Sequence, residues 1–306
     1  MSPSSLKTWQ RRTLIANLLA QTGIVLTGAV VRLTSSGLGC PTWPECVDGS
    51  IAPTSAQTQS WHKYVEFGNR LLTFVLVIVA VATIAAVRSH NRQRFASGLA
   101  KRRSLTILAV GTLAGIFAQA ILGGITVLTG LHPLTVAAHF MLSIGLITVA
   151  QNLLTRAQEP DDAPVNLQVV QPIDFAMKMH VWLALLVIFM GTLVTGSGPH
   201  AGDSSDVVRL GFDPRTISWL HADIVLLFVG LTIGLLIALR ATNAPKLVVR
   251  QAWIVLAICV AQGFVGYTQY FTGLPWALVT VHVLGACLLW IYSVRLYLAR
   301  NTRGLN

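Results

Sequence analysis

The amino-acid sequence predicts an all-α membrane protein of eight transmembrane helices, built as two related halves of four with both termini on the cytoplasmic side. Three observations carry this expectation. The first is composition: of 306 residues, 54% are apolar and 11% charged, and the mean hydropathy of +0.66 is too high for a soluble domain of this size. Second, eight apolar runs reach the roughly 20 residues that a bilayer crossing needs, at about 13 to 33, 64 to 87, 104 to 128, 133 to 155, 176 to 196, 217 to 239, 248 to 270 and 276 to 298. Third, one motif occurs twice. Ala118-Gln-Ala-Ile-Leu-Gly123, Thr129-Gly-Leu131 and His139 are echoed by Ala261-Gln-Gly-Phe-Val-Gly266, Thr272-Gly-Leu274 and His282. Gln119 to His139 and Gln262 to His282 are both twenty residues, with Thr-Gly-Leu at the same place in each. Such matched spacing points to an internal duplication in which each half presents a histidine on the helix after a tight turn.

The elements follow in order. Met1 to Arg12 is short, polar and basic, with no cleavable signal pattern. The first helix ends in a loop rich in turn formers, Thr34-Ser-Ser-Gly-Leu-Gly-Cys40-Pro-Thr-Trp-Pro-Glu-Cys46. Cys40 and Cys46 lie on the face expected to be oxidising, where a disulfide is the better reading than free thiols; a strained bridge there would exchange electrons with a partner thiol. The second helix opens with Trp61-His62 and carries Glu66-Phe-Gly-Asn69-Arg70. Helix three carries Gln119, which reads as an interhelical hydrogen-bonding residue, as does Gln262 in helix seven. His132 beside Pro133 reads as a cap in the turn before helix four, and Glu159 to Pro172 as a cytoplasmic linker. The implied organisation is an N-terminal half at 1–158, a linker at 159–173 and a C-terminal half at 174–306. Helix five, with His180 at its inner start, ends in Thr195-Gly-Ser-Gly-Pro-His-Ala-Gly-Asp203, an echo of the first loop without cysteines. Helix six opens with Ser218-Trp-Leu-His221, and Cys259 and Cys287 in helices seven and eight read as core residues.

Basic residues set the orientation. A cytoplasmic N-terminus gathers Lys7, Arg11, Arg12, Arg88, Arg92, Arg94, Lys101, Arg102, Arg103, Arg156, Arg240, Lys246, Arg250, Arg300 and Arg303 on one side, leaving Arg32, Lys63, Arg70, Arg209 and Arg215 opposite. A bacterial plasma membrane is a simpler home than an organelle. Contact with anionic inner-leaflet lipid accounts for the net charge of +11, with no nucleic acid required. Neither a Walker loop, a Rossmann fingerprint nor a zinc-protease pair is present.

The chemistry rests on histidines. His221 and His282 fall at similar depth, within about 10 Å of the outer boundary, and two imidazoles at one depth on alternate helices of a bundle suit bis-imidazole haem ligation. The plainer reading is that each histidine bonds a carbonyl or a neighbouring helix, but ionisable groups at membrane depth are costly.

These loops, the Glu66-Phe-Gly-Asn-Arg70 segment and histidines 139, 221 and 282 resemble the haem A synthase family over essentially the whole chain. The resemblance implies oxidation of the ring methyl of haem O to the formyl group of haem A for terminal oxidases, a four-electron change through two hydroxylations and loss of water. It implies two pseudo-symmetric four-helix bundles, the C-terminal one holding haem b and the N-terminal one receiving haem O, with sites toward the outer face. His221 and His282 match the haem b ligands, and His139 matches a ligand of the substrate haem. Glu66 matches a catalytic carboxylate, and Cys40 and Cys46 the outer-loop cysteine pair. One position departs: Asn69 stands where many members carry a histidine. An amide is a poor iron ligand, so His139 alone is expected to hold the substrate iron, and His62, two turns away, is a weak substitute. Glu66 would shuttle protons or stabilise a cationic intermediate; alternatively it pairs with Arg70 or Lys63. Arg32 and Arg70 would pair with haem propionates or snorkel to the interface. Expected partners are haem O, the enzyme that makes haem O and an unidentified electron donor. Two rival classes remain: a di-haem cytochrome that only transfers electrons, and a repeat-built transporter.

Overall fold

The computed structural model describes residues 5–55, 57–160, 162–203 and 207–303; residues 1–4 of the basic start, Asp161 of the linker and residues 304–306 lie outside the described residues. The order is α1 (Thr8–Leu33), α2 (His62–Ala96), α3 (Arg103–Leu128), α4 (Pro133–Arg156), β1 (Val165–Leu167), α5 (Gln171–Ser197), α6 (Pro214–Ala241), α7 (Lys246–Phe271), α8 (Trp276–Ala299) and β2 (Asn301–Arg303). Each of the eight helices is long and apolar enough to cross a membrane. Even the shortest, at 24 residues, extends about 36 Å, against about 30 Å of hydrocarbon.

Local chemistry explains the helix starts. Pro133 and Pro214 stand at the start of α4 and α6, and Pro172 in the first turn of α5, where a missing N–H costs nothing. Asp213 caps α6 by accepting the Thr216 N–H at 2.8 Å, and His132 caps α4 by accepting the Leu134 N–H at 3.3 Å. Three expected boundaries move, the first being the start of the first helix, expected near 13 and found at Thr8. The second helix, expected over 64 to 87, continues to Ala96 because its polar extension finds partners. Asn91 accepts the Arg102 N–H at 2.8 Å and donates to the Arg102 carbonyl at 3.2 Å, while Arg94 donates to the Pro160 carbonyl at 2.8 Å. The linker, expected to run to 173, gives way to α5 at Gln171, since proline suits a first helical turn. His180 is therefore the tenth residue of α5 rather than its start; it is buried and hydrogen-bonded to the Thr232 hydroxyl at 3.0 Å.

Helices α1 to α4 close one ring, α1 and α3 each packing on α2 and α4; α5 to α8 repeat the arrangement, with α5 and α7 each packing on α6 and α8. The rings meet along α1, α4, α5 and α8, where the Trp290 indole donates to the Thr148 hydroxyl at 2.7 Å. Leu14, Val87, Leu105 and Leu153 fill part of the first ring, and Val187, Phe228, Val255 and Val294 part of the second. Large apolar side chains such as Phe74, Ile78, Phe264 and Phe271 also point outward, the all-round apolarity of membrane-spanning helices.

Each end of the molecule is tied. At the end carrying both termini, β1 and β2 pair antiparallel with Val165 opposite Arg303, so the linker is clasped by the end of the chain. The buried Arg102 guanidinium donates to Asp162 at 3.0 Å and to the Arg156 and Glu159 carbonyls at 2.6 Å. Arg303 pairs with Glu159 at 3.2 Å and Arg300 with Asp174 at 2.7 Å. At the opposite end, the two echoing loops join in a Ser36–Asp203 bridge, with the Gly37 N–H donating to the Gly202 carbonyl at 2.7 Å. Both Thr-Gly-Leu turns place glycine and leucine at positive φ, +61° and +59° at Gly130 and Leu131, +78° and +59° at Gly273 and Leu274. A leucine held there costs about 1–2 kcal/mol. Contacts hold both in place: Leu131 is buried against Gly37 and Gly202, and the Leu274 carbonyl bonds His200 at 2.9 Å.

Candidate functional site

His139 and His282 are each the seventh residue of their helices, α4 and α8, and His221 is the eighth of α6. All three therefore lie about 9–11 Å below the helix starts at the end opposite the termini. The duplicated motif has a local geometry. Gln119 of α3 donates from its amide to the backbone carbonyl of His139 at 3.1 Å, and Gln262 of α7 does the same to His282 at 2.9 Å. One turn further along, Gly123 and Gly266 face the imidazoles: a Cβ at either would lie 3.2 Å from His139 Cε1 or 3.4 Å from His282 Cε1. Glutamine thus pins the helix that carries the ring, and glycine leaves the ring room. His221 has its own glycine, Gly191 of α5, whose Cβ would lie 3.6 Å from His221 Cε1.

One ring is incompletely satisfied. Nδ1 of His139 is buried without a hydrogen-bond partner, a state that carries a desolvation cost. Among the described residues, no group of three or more His, Cys, Asp or Glu side chains converges on a bare-metal site. One or two imidazoles are the donor set for a metal that arrives inside a macrocycle. Asn69, the eighth residue of α2, stands at the same depth as His221. Its Oδ1 is also buried without a partner. His62 turns instead to the loop after α1, hydrogen-bonding the Ser36 hydroxyl at 2.9 Å and stacking on Trp61.

The acidic and basic candidates gather on that loop. Cys40 and Cys46 form a disulfide and are fully buried. Glu66 is buried, accepting the Cys40 N–H at 2.7 Å on one oxygen and Arg70 Nη2 and Nε at 2.6 and 3.1 Å on the other. Arg70 also donates to the carbonyls of Cys40 at 2.7 Å, Thr42 at 3.0 Å and Glu45 at 3.1 Å. The Glu66–Arg70 pair, one helical turn long, thereby grips the whole disulfide loop from below. Trp43 of that loop lies flat on Gly124 of α3, where a Cβ would collide with its ring, next in sequence to the glycine that faces His139. Lys63 is used on the loop carbonyls of Thr54 and Gln57, at 2.8 and 3.3 Å. Arg32 spans the two loops, donating to the carbonyls of His200 at 2.9 Å and Thr195 at 3.0 Å. The site residue that sequence reasoning missed is Gly191, which faces His221 from α5.

Comparison with known proteins matches the chain to a family model described as "Cytochrome oxidase assembly protein", COX15-CtaA, over residues 11–294. A protein of Geobacillus kaustophilus named "Heme A synthase" is 32% identical over 147 residues, 47% of this chain and 41% of that protein. A Bacillus mycoides protein of the same name is 24% identical over 286 residues, 85% of this chain and 83% of its own length, and one from Bacillus cereus is 25% identical over 279 residues with the same coverage. The chain thus spans about two fifths of the Geobacillus relative and most of the Bacillus ones. With the match running from the first helix into the eighth, the chain belongs to the COX15-CtaA family of cytochrome oxidase assembly proteins.

Proposed function

We propose that this protein is a haem A synthase, an oxidoreductase that converts the ring methyl of haem O to the formyl group of haem A for terminal oxidases. The observation that carries the reading is the repeated Gln–Gly–His unit, in which a glutamine holds the carbonyl and a glycine clears the ring of a histidine, once in each half. Its setting is a chain of the family whose relatives are named "Heme A synthase".

On this reading residues 1–158 and 174–306 are pseudo-symmetric four-helix halves joined by the linker at 159–173, in a bacterial plasma membrane with both termini cytoplasmic and the histidines toward the outer face. The donor set fits the haems the family implies: paired imidazoles with a facing glycine each in the second half, and one imidazole with a buried, partnerless Nδ1 in the first. His221 and His282 would hold haem b, which supplies one-electron transfer when bound. His139 would bind the substrate haem O. Asn69 is a poor iron ligand, but its buried Oδ1 can accept a hydrogen bond from a water or hydroxyl on the reacting side. Glu66 shares the helical face of Asn69 and is the acidic side chain positioned to handle the protons that methyl oxidation releases. Its bonds to Cys40 and Arg70 fix its orientation and hold the outer loop over the first half. Arg70 is better read as a loop anchor than as a propionate partner, because loop carbonyls and Glu66 take up Nε, Nη1 and Nη2, whereas Arg32 commits Nε and Nη2 to loop carbonyls. The lipophilic substrate favours direct delivery from the enzyme that makes haem O, and the electrons require a donor or acceptor outside this chain.

The test is conversion. Purified protein supplied with haem O and a redox partner should yield haem A on extraction and chromatography. Haem O recovered unchanged from protein fully loaded with haem b would instead favour an electron-transferring cytochrome.

A further inference from the structure

At the end of the molecule that carries both termini, the turn from α6 to α7 opens a shallow cavity of about 340 Å3, lined by Arg240, Ala244, Lys246, Val249, Arg250 and Trp253. Half of the lining residues are cations and none is acidic. Four other arginines at this end are matched, Arg102, Arg156, Arg300 and Arg303 pairing with Glu159, Asp162 and Asp174. Arg240, Lys246 and Arg250 form no salt bridge among the described residues.

Three further features add to this charge. The Arg240 guanidinium lies over the Trp253 ring, 5.2 Å from its centroid, which steadies it by cation–π attraction and leaves its N–H fork free for an anion. Lys246 is the first residue of α7, a 26-residue helix whose N-cap Pro245 offers no side-chain cap, so the positive end of the helix dipole adds to the field. The remaining wall is apolar: Ala244, Val249 and the half-exposed Trp253, an aromatic at the depth where tryptophan marks a membrane–water boundary. The volume is roughly ten times the 30 Å3 or so of a liquid water molecule, room for a headgroup rather than for one small ion.

We propose that this cavity binds the headgroup of an anionic phospholipid from the leaflet on the side of the termini, the phosphate among Arg240, Lys246 and Arg250 and the start of the acyl chains along Val249 and Trp253. Three unpaired cations with no acidic neighbour favour a net-negative headgroup over a zwitterionic one. The apolar wall favours a lipid over free phosphate. This inference is independent of the haem chemistry.

The test titrates full-length protein, in a neutral detergent, with phosphatidylglycerol, phosphatidylcholine or inorganic phosphate, and reads adducts by native mass spectrometry. Phosphatidylglycerol should bind, and phosphatidylcholine should bind far more weakly. Combining Arg240→Gln, Lys246→Gln and Arg250→Gln should weaken phosphatidylglycerol about 100-fold, from about fivefold per cation. Should the triple variant not fold, Arg250→Gln alone should lose about fivefold and Arg250→Lys should restore it. Arg88→Gln with Arg92→Gln, a pair of cations on α2 outside the cavity, should bind as the unaltered protein does. Undiminished binding in the cavity variants, or an equal loss in the control, overturns the site. Equal affinity for inorganic phosphate and phosphatidylglycerol overturns the assignment to lipid.

Discussion

Replacing Glu66 with alanine removes, in one change, the acceptor of the Cys40 N–H at 2.7 Å and both contacts to Arg70, at 2.6 and 3.1 Å. Hydrogen bonds to charged groups contribute about 1.5–3 kcal/mol each. Cys40 is fully buried, so its N–H loses about that much. The Arg70 side chain is 21% exposed and keeps three loop carbonyls, so its share belongs at or below the low end. A total near 3 kcal/mol makes opening of the 40–46 loop about 100-fold more frequent, at 1.4 kcal/mol per decade. Hydrogen exchange at the Cys40 amide, read by mass spectrometry on protein with its disulfide intact, reports that opening. Glu66→Gln keeps an acceptor but loses the charge, and should fall near tenfold. Haem A formation should be lost in Glu66→Ala while the haem held by His221 and His282 keeps its spectrum. Unchanged exchange at Cys40 in both variants would refute the idea that Glu66 anchors the loop, and loss of the second-half haem would make Glu66 a general structural residue.

Other consequences follow from single contacts. Gly123→Ala puts a Cβ 3.2 Å from the His139 ring, so it should weaken substrate haem several-fold, whereas Gly191→Ala, at 3.6 Å from His221, should leave haem b retention unchanged; haem content of the purified variants decides. Asn69→His restores an imidazole at the depth of His221 and should convert the spectrum of bound haem O to the low-spin, bis-imidazole type, which an unchanged spectrum would contradict. In the clasp, burial works to raise the Asp162 carboxyl, but bonds from Ser104 and Arg102 and the nearby arginines outweigh it and hold it below the usual range. A depressed folded value means that its stabilisation is complete above the unfolded value of about 3.9 and is lost as pH falls through the folded one. Exchange protection at 163–170 should therefore persist at pH 5 and fade on acidification below about pH 4, and Asp162→Asn should lose it at pH 7.

What was legible in the sequence was what depends on periodicity and spacing. The eight helices follow from apolar run length, and the two Thr-Gly-Leu turns and twenty-residue Gln-to-His intervals mark the repeat; that the glutamines bond the His139 and His282 carbonyls is visible only in the structure. The Cys40–Cys46 disulfide was legible from loop chemistry. Long-range pairing was not. Nothing in Val165-Asn-Leu167 is enough to signal a strand, because its partner Asn301-Thr-Arg303 lies more than a hundred residues away and each segment is only 3 residues long. The continuation of α2 past the membrane was hidden for a related reason: the partners of Asn91 and Arg94 sit on the next helix and the linker. The use of Arg32 as a tie between the loops after α1 and α5 was also out of reach, since it depends on carbonyls more than 160 residues away.

The division of labour between the halves is tested most directly by the haems themselves. Purified protein and its His139→Ala, His221→Ala and His282→Ala variants would be examined by pyridine haemochrome spectra and chromatography of the extracted haems. The account predicts haem B together with haem O or A, the first lost with His221 or His282 and the second lost with His139. Haem B alone, indifferent to His139→Ala and never accompanied by conversion of added haem O, would contradict it.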